Sequence, residues 1–198
     1  VQEDANEVGY IKYGRITASS QAGIELDFTS GYNVTRHAIY VKVMFEGDDP
    51  NYDNTGWNSL IQSGDNQFSA KMIEVNGDLT KIRLKSMQTI IDEIDYTFQM
   101  NKMYHIYLDL KRHIDTGGNG KLYIIEDGVT TTLDLPSFNM SGRNDFGNTT
   151  TKLFLRAQHT AFGTSSHKYK IRMYSIAPFG DHNNYYPTIS DIEGIVNN

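Results

Sequence analysis

The stretch His37-Ala38-Ile39-Tyr40-Val41-Lys42-Val43-Met44-Phe45-Glu46 alternates with a period of two. Ile39, Val41, Val43 and Phe45 fall on one side of an extended chain, the mark of a strand with one buried face. It is also the longest apolar-rich run, and Lys42 breaks it, so it matches neither a membrane span nor a signal-peptide core. The same period recurs to the end of the chain. Over 101–112, His105, Tyr107 and Asp109 alternate with Tyr104, Ile106, Leu108 and Leu110. Over 168–176, Tyr169, Ile171, Met173 and Ser175 alternate with Lys170, Arg172, Tyr174 and Ile176. Shorter strands are expected over 10–16, 23–28, 59–62, 68–75, 80–85, 94–99, 121–126, 130–135 and 152–156.

Turn signals separate these segments: Thr29-Ser30-Gly31, Gly47-Asp48-Asp49-Pro50, Ser63-Gly64-Asp65-Asn66 and Gly117-Gly118-Asn119-Gly120. Val75-Asn76-Gly77-Asp78-Leu79 reads as a tight hairpin whose two-residue turn is Asn76-Gly77. Roughly twelve short strands without alternating long helices predict an all-β fold, a two-sheet antiparallel sandwich. One short helix is expected near the C-terminus, with Ser190 as N-cap and Glu193 completing a capping box. Too short to stand alone, it must dock on the body.

The 198 residues suit a single domain, 1–198, large enough to bury a full core. A chain that opens on Val1 rather than Met reads as a piece of a longer or processed protein. With no cysteine, neither a disulfide framework nor a thiolate metal site can form. That composition fits the cytosol and does not exclude a virion or a cell surface. A net charge of −6 argues against nucleic acid or an anionic membrane as the main partner. Lys81, Arg83 and Lys85 alternate, which reads as a solvated basic strand face.

Three segments resemble a known pattern. Asn101-Lys102-Met103-Tyr104-His105-Ile106-Tyr107-Leu108 resembles a strand of the form W-[YH]-H-[IV], with Met103-Tyr104 where tryptophan and an aromatic often stand. Lys121-Leu122-Tyr123-Ile124-Ile125-Glu126-Asp127-Gly128 resembles K-L-Y-[IV]-[ND]-G, with Ile125-Glu126-Asp127 in place of a direct Asn-Gly. Lys152-Leu153-Phe154-Leu155 and Tyr169-Lys170-Ile171-Arg172-Met173-Tyr174 resemble the closing pair. In this order they resemble the concanavalin A-like and laminin G-like jelly-roll domains, the superfamily that includes pentraxin-type lectin-like modules. The likeness covers about the last half of the chain. It implies a jelly-roll sandwich ending in a short helix, with glycans, peptides or protein partners bound on a concave sheet face or on rim loops. It further implies calcium as a possible cofactor of those loops.

Four constellations bear on chemistry. Glu93-Ile94-Asp95, after Asp92, is similar to the E-x-D-x-x-E motif of concanavalin-fold β-glucanases, but the third position is Phe98. A retaining hydrolase needs two carboxyls about 5–5.5 Å apart, and the motif lacks its acid/base; the acids fall where strands are expected to turn. The chain is therefore read as no enzyme. Asp48, Asp49, Asn51 and Asp53 gather hard oxygen donors suited to calcium, although Leu60 stands where an EF-hand would need its bidentate Glu. Trp57, the only tryptophan, is expected in a polar loop with Tyr52, Asn54 and Asn58, where its ring could stack on a pyranose. His182, Asn183 and Tyr185 form a second such loop. In each case the plainer reading, an ordinary turn, a polar loop or an edge plug, is favoured. The histidines show no zinc spacing, and His105 belongs to the resembling strand.

These readings favour a non-catalytic carbohydrate- or receptor-binding module. The parent would be a larger adhesive or phage/viral structural protein, outside the cell, on a cell surface or on a virion, with a glycan or a cell-surface receptor as partner. The alternative is a structural module that associates with its own copies. A polysaccharide hydrolase or lyase is disfavoured by Phe98.

Overall fold

The computed structural model describes residues 2–4, 7–13, 22–27, 38–47, 56–63, 71–86, 89–109, 120–135, 152–157, 169–179 and 187–197. Its strands are β1 (Gln2–Asp4), β2 (Glu7–Tyr13), β3 (Ala22–Asp27), β4 (Ala38–Glu46), β5 (Trp57–Ser63), β6 (Lys71–Asn76) and β7 (Lys81–Ser86). They continue with β8 (Thr89–Asp95), β9 (Met103–Asp109), β10 (Lys121–Glu126), β11 (Val129–Asp134), β12 (Lys152–Ala157) and β13 (Lys170–Phe179). One helix, Ile189–Val196, follows. The strands form two antiparallel sheets, ordered β1-β2-β13-β4-β9-β10-β11 and β3-β12-β5-β6-β7-β8. The chain divides into two compact units. One comprises Val1–Asp27, Met44–Lys102 and Lys152–Tyr174, the other Phe28–Val43, Met103–Thr151 and Ser175–Asn198.

In the first unit, period-2 patterning sends Ile73, Val75, Ile82 and Leu84 into the core. Phe45 is the aromatic centre, meeting Phe98 at 5.1 Å and Tyr169 at 5.3 Å, both edge-on. The buried Tyr169 hydroxyl reaches the carbonyls of Val75 (3.2 Å) and Asn76 (3.0 Å), which satisfies its polar end. Arg172 and Glu46 form a two-pronged ion pair.

Two expectations in this unit are corrected. The β6–β7 hairpin has a four-residue loop, 77–80, because Asn76 stays in the strand. Its Oδ1 accepts from the backbone N–H of Thr80 (2.9 Å) and Lys81 (2.8 Å). Leu79 then takes a left-handed conformation (φ 62°) and is only 3% exposed. Burying a leucine side chain gains about 2 kcal/mol, more than the roughly 1 kcal/mol that the backbone costs. Second, the strand expected over 94–99 lies earlier, as β8, so Asp92, Glu93 and Asp95 belong to a strand and not to a turn. The chain leaves the ladder after Asp95 because Phe98 dives to the core (4% exposed) while its N–H donates to Leu79 O at 2.7 Å.

In the second unit, Ile39, Val41, Val43, Tyr104, Ile106, Leu108, Leu122 and Ile124 are buried on one side of the β4, β9 and β10 ladder. Ala38, Tyr40, Tyr107, Tyr123 and Ile125 are buried on the other, beneath Ile189, Ile192 and Val196 of the helix. Both faces are thus covered there, which explains three tyrosines where simple alternation expects solvent. Tyr107 and Tyr123 pair across β9 and β10, their rings stacked at 6.0 Å. The Tyr107 hydroxyl donates to the Pro187 carbonyl at 2.5 Å. The helix docks as expected, but its N-cap is Thr188 with Asp191, not Ser190 with Glu193. Starting there spaces Ile189, Ile192 and Val196 along one face. Glu193 is used otherwise, accepting from Thr130 Oγ1 at 2.5 Å.

Candidate functional site

The solvent-side row of β5, β6, β7 and β8 carries Ser59, Glu74, Arg83 and Glu93 in register. Such a row should be wet. Instead Ser59 is fully buried, Glu74 is 1% exposed and Arg83 7%. The expectation of a solvated Lys81, Arg83, Lys85 face is therefore corrected at its central residue. Arg83 Nε donates to Glu74 Oε2 at 2.6 Å, and the guanidinium carbon lies 3.9 Å from the Trp57 ring centroid. Trp57 opens β5 and Arg83 sits on β7, so the two long side chains meet across β6, the strand that carries Glu74. Trp57 is therefore a strand residue, not the loop residue expected, and one face of its indole is already taken by a cation.

The electrostatics of this group are incomplete. Glu74 Oε1 is buried and accepts no hydrogen bond. Arg83 bonds only through Nε among the described residues, which leaves its Nη donors without an acceptor. At the margin, Lys81 Nζ meets Glu93 Oε1 at 2.8 Å and Asp95 Oδ1 at 3.5 Å. Hydrogen bonding to Glu93, with the charges of Glu93 and Asp95, raises the Lys81 ammonium above its ordinary range. These two carboxylates of the glucanase-like motif thus neutralise a lysine, and its Phe98 is a core residue.

A second polar pair lies in the other unit. Tyr40 Oη and His105 Nδ1 are 2.7 Å apart. Burial, with a smaller push from the Lys42 charge, lowers the imidazole to about 4. Burial also raises the Tyr40 phenol to about 12. Both groups stay neutral across the physiological range, and the pair reads as a structural bond.

Of the residues singled out in the sequence, Trp57 lies in the described site, and Asn58 is fixed in β5 opposite Val75. Tyr52, Asn54, His182, Asn183 and Tyr185 lie outside the described residues, as do the calcium candidates Asp48, Asp49, Asn51 and Asp53. Among the described residues no group of three or more His, Asp or Glu is arranged to hold a metal ion. None of the described helices is long and apolar enough to cross a membrane. Glu74 and Arg83 escaped the sequence reading. Their signal is opposite charge at facing positions of a hairpin, legible only once its register is known.

No protein-family model matches the chain, and no curated protein matches it in sequence. Solved structures do match. The carbohydrate-binding module CBM40 of the Ruminococcus gnavus IT-sialidase, bound to α2,3-sialyllactose, superimposes with a TM-score of 0.53 at 10% identity, over 93% of this chain and 97% of that one. Botulinum neurotoxin type C, from a study of its cell entry through two ganglioside molecules, matches with a TM-score of 0.52 at 14% identity. The match covers 81% of this chain but 35% of the toxin chain. A Trypanosoma rangeli sialidase in complex with sialic acid matches at 0.52 and 12% identity, over 92% of this chain and 26% of that one. The chain therefore spans about a third of the toxin chain and a quarter of the sialidase chain it matches. These likenesses show the fold: an all-β, two-sheet sandwich of the concanavalin A-like kind with a short C-terminal helix.

Proposed function

We propose that this chain is a non-catalytic glycan-binding module of a larger adhesive or viral surface protein. One observation carries the reading: the CBM40 match spans nearly the whole of both chains, 93% and 97%. The match is thus to a complete binding module, whereas the sialidase match takes in 26% of a much longer chain. The described carboxylates support the non-catalytic part. Glu93 and Asp95 are spent on Lys81, and Glu74 is buried against Arg83. The aromatic of the site is Trp57, whose indole is held by Arg83 and partly exposed.

A broad glycan array, run in calcium and in chelator, tests the proposal. Specific hits that vanish in Trp57→Ala support a lectin-like module with its site at β5. Retention of those hits in Trp57→Ala moves the site elsewhere on the module. No hits in either buffer overturn the reading and leave the structural, self-associating module in its place, which sedimentation would then check.

A further inference from the structure

We infer that the outer edge of β11 pairs with the same edge of a second copy of this chain, antiparallel about a two-fold axis at Thr131, to form a dimer. The inference stands apart from the glycan-binding reading: β11 belongs to the second unit and Trp57 to the first.

β11 closes one end of the seven-stranded sheet, and among the described residues β10 is its one neighbour. The hairpin turn fixes which of its backbone groups face outward. Asp127 (φ 49°) and Gly128 (φ 76°) make a two-residue turn with both residues left-handed, so Glu126 and Val129 close it as a hydrogen-bonded pair. Alternation then turns the N–H and C=O of Val129, Thr131 and Leu133 toward β10. Leu135 continues the series, its N–H donating to Gly120 O at 3.1 Å. Thr130, Thr132 and Asp134 point theirs away from the sheet, with no strand among the described residues to receive them. Such a row is a template for another strand.

The other three sheet edges are guarded. β1 is three residues long, includes Glu3 and Asp4, and pairs in irregular register. β3 includes Glu25 and Asp27. β8 includes Asp92, Glu93 and Asp95, and its register against β7 breaks between Leu84 and Lys85. Acidic edges repel a second copy of a chain whose net charge is −6. β11 is Val-Thr-Thr-Thr-Leu-Asp, in unbroken register with β10. Its one charged residue, Asp134, comes last and meets Lys121 at 3.2 Å. Val129 is 68% exposed, more than any other large hydrophobic residue described.

The edge sequence identifies the occupant, because it is complementary to itself. With Thr131 on the axis, Val129 faces Leu133 of the second copy, and Thr130 faces Thr132 of the second copy. Apolar and Thr–Thr pairs across strands are both favourable. Asp134 faces Gly128 of the second copy, so no two carboxylates oppose each other. The parity also fits. Thr130 and Thr132, whose backbone groups point outward, become hydrogen-bonded pairs, and Thr131 becomes a non-hydrogen-bonded one. A self-complementary contact of this kind closes at two copies.

Six residues make a small interface, so the dimer is weak and forms at high protein concentration. The experiment follows sedimentation and amide exchange from about 1 µM to 1 mM protein. The chain has no cysteine, so oxidation of a Thr131→Cys variant tests the register. On the axis the two Cα atoms stand about 4.5 Å apart, within disulfide reach. In a Val129→Cys control the two cysteines are about 14 Å apart along the strands. The wild type is expected to dimerise, with exchange of the Thr130 and Thr132 amides slowing as concentration rises. Thr131→Cys is expected to crosslink at least about tenfold faster than Val129→Cys. Thr132→Pro removes an outward N–H and leaves the β10 ladder intact, and Thr131→Lys sets two like charges on the axis. Both should be monomeric, with melting temperatures near that of the wild type. Thr131→Cys hardly changes side-chain size, so it decides the matter even if those two variants fail to fold. A chain that stays monomeric and does not crosslink overturns the inference. A dimer that survives in both variants, or equal crosslinking at the two positions, overturns it as well.

Discussion

Tyr40 Oη lies 2.7 Å from His105 Nδ1, joining β4 and β9 by a hydrogen bond that either tautomer of the neutral ring can make. The folded imidazole titrates near 4, against 6.5 for a free one, so folding excludes its proton. Between those values the unfolded chain binds more protons than the folded one. The contribution is therefore complete above about pH 6.5 and is lost as pH falls toward 4. His105→Gln keeps a hydrogen-bonding partner for Tyr40 and removes the titration. Unfolding midpoints in urea from pH 7 to pH 4 should fall more steeply in the wild type than in this variant. Parallel curves would show that His105 protonates freely in the fold.

The Tyr107 hydroxyl bonds the carbonyl of Pro187, the residue before the helix N-cap, and both residues are buried. Tyr107→Phe leaves that carbonyl unsatisfied at nearly constant volume. The expected cost is about 1–3 kcal/mol of stability, read by urea denaturation. Amide exchange over 189–197 should rise, since the bond fixes the entry to the helix.

Leu79 plugs the core from a left-handed backbone position. Leu79→Ala keeps the backbone cost and loses the burial, so it should destabilise by about 2–5 kcal/mol. Leu79→Gly relieves the backbone by about 1 kcal/mol but loses the same side chain, and should still fall below the wild type. Thermal melts of the two variants rank these effects, with Gly at or above Ala.

Calcium is expected to engage Asp48, Asp49, Asn51 and Asp53. Binding to the folded state alone raises stability by mass action. The melting temperature should rise in millimolar calcium, and Asp49→Asn with Asp53→Asn should abolish the rise. A melting temperature indifferent to calcium and to chelator would remove the metal from the account.

The strands were legible because one face of nearly every one is apolar at alternate positions, as Ile39, Val41, Val43 and Phe45 show. Two boundaries moved where a single side chain overrode the pattern: Leu79 enlarging the hairpin loop, and Phe98 ending β8 early. Helix docking was legible from its shortness, but its cap shifted by two residues because Thr188 and Asp191 bond each other's backbone and side chains. The site was only half legible. Trp57 stands out by rarity. Arg83 looked like one cation in a wet row, because alternation tells which residues share a face and not which of them another side chain covers. That needed the pairing of Glu74 with Arg83 and the reach of Trp57 across β6.

The order of the six-stranded sheet also bears on how the chain reaches this state. The hairpins β5–β6, β6–β7 and β7–β8 join neighbours in sequence and can zip locally. β3 has no such neighbour. Its register partners are in β12, where Leu26 faces Leu153 and Ala22 faces Ala157, and β12 in turn pairs with β5. Closing a loop of that length comes before any reward from the contact, which makes it slower than the hairpins of the same sheet. On a ribosome, β3 must wait for β12 to emerge before it can enter the sheet. A nascent chain stalled short of Lys152 would hold the β5–β8 meander with the β5 edge open and β3 still unclaimed, a species for chaperones to recognise.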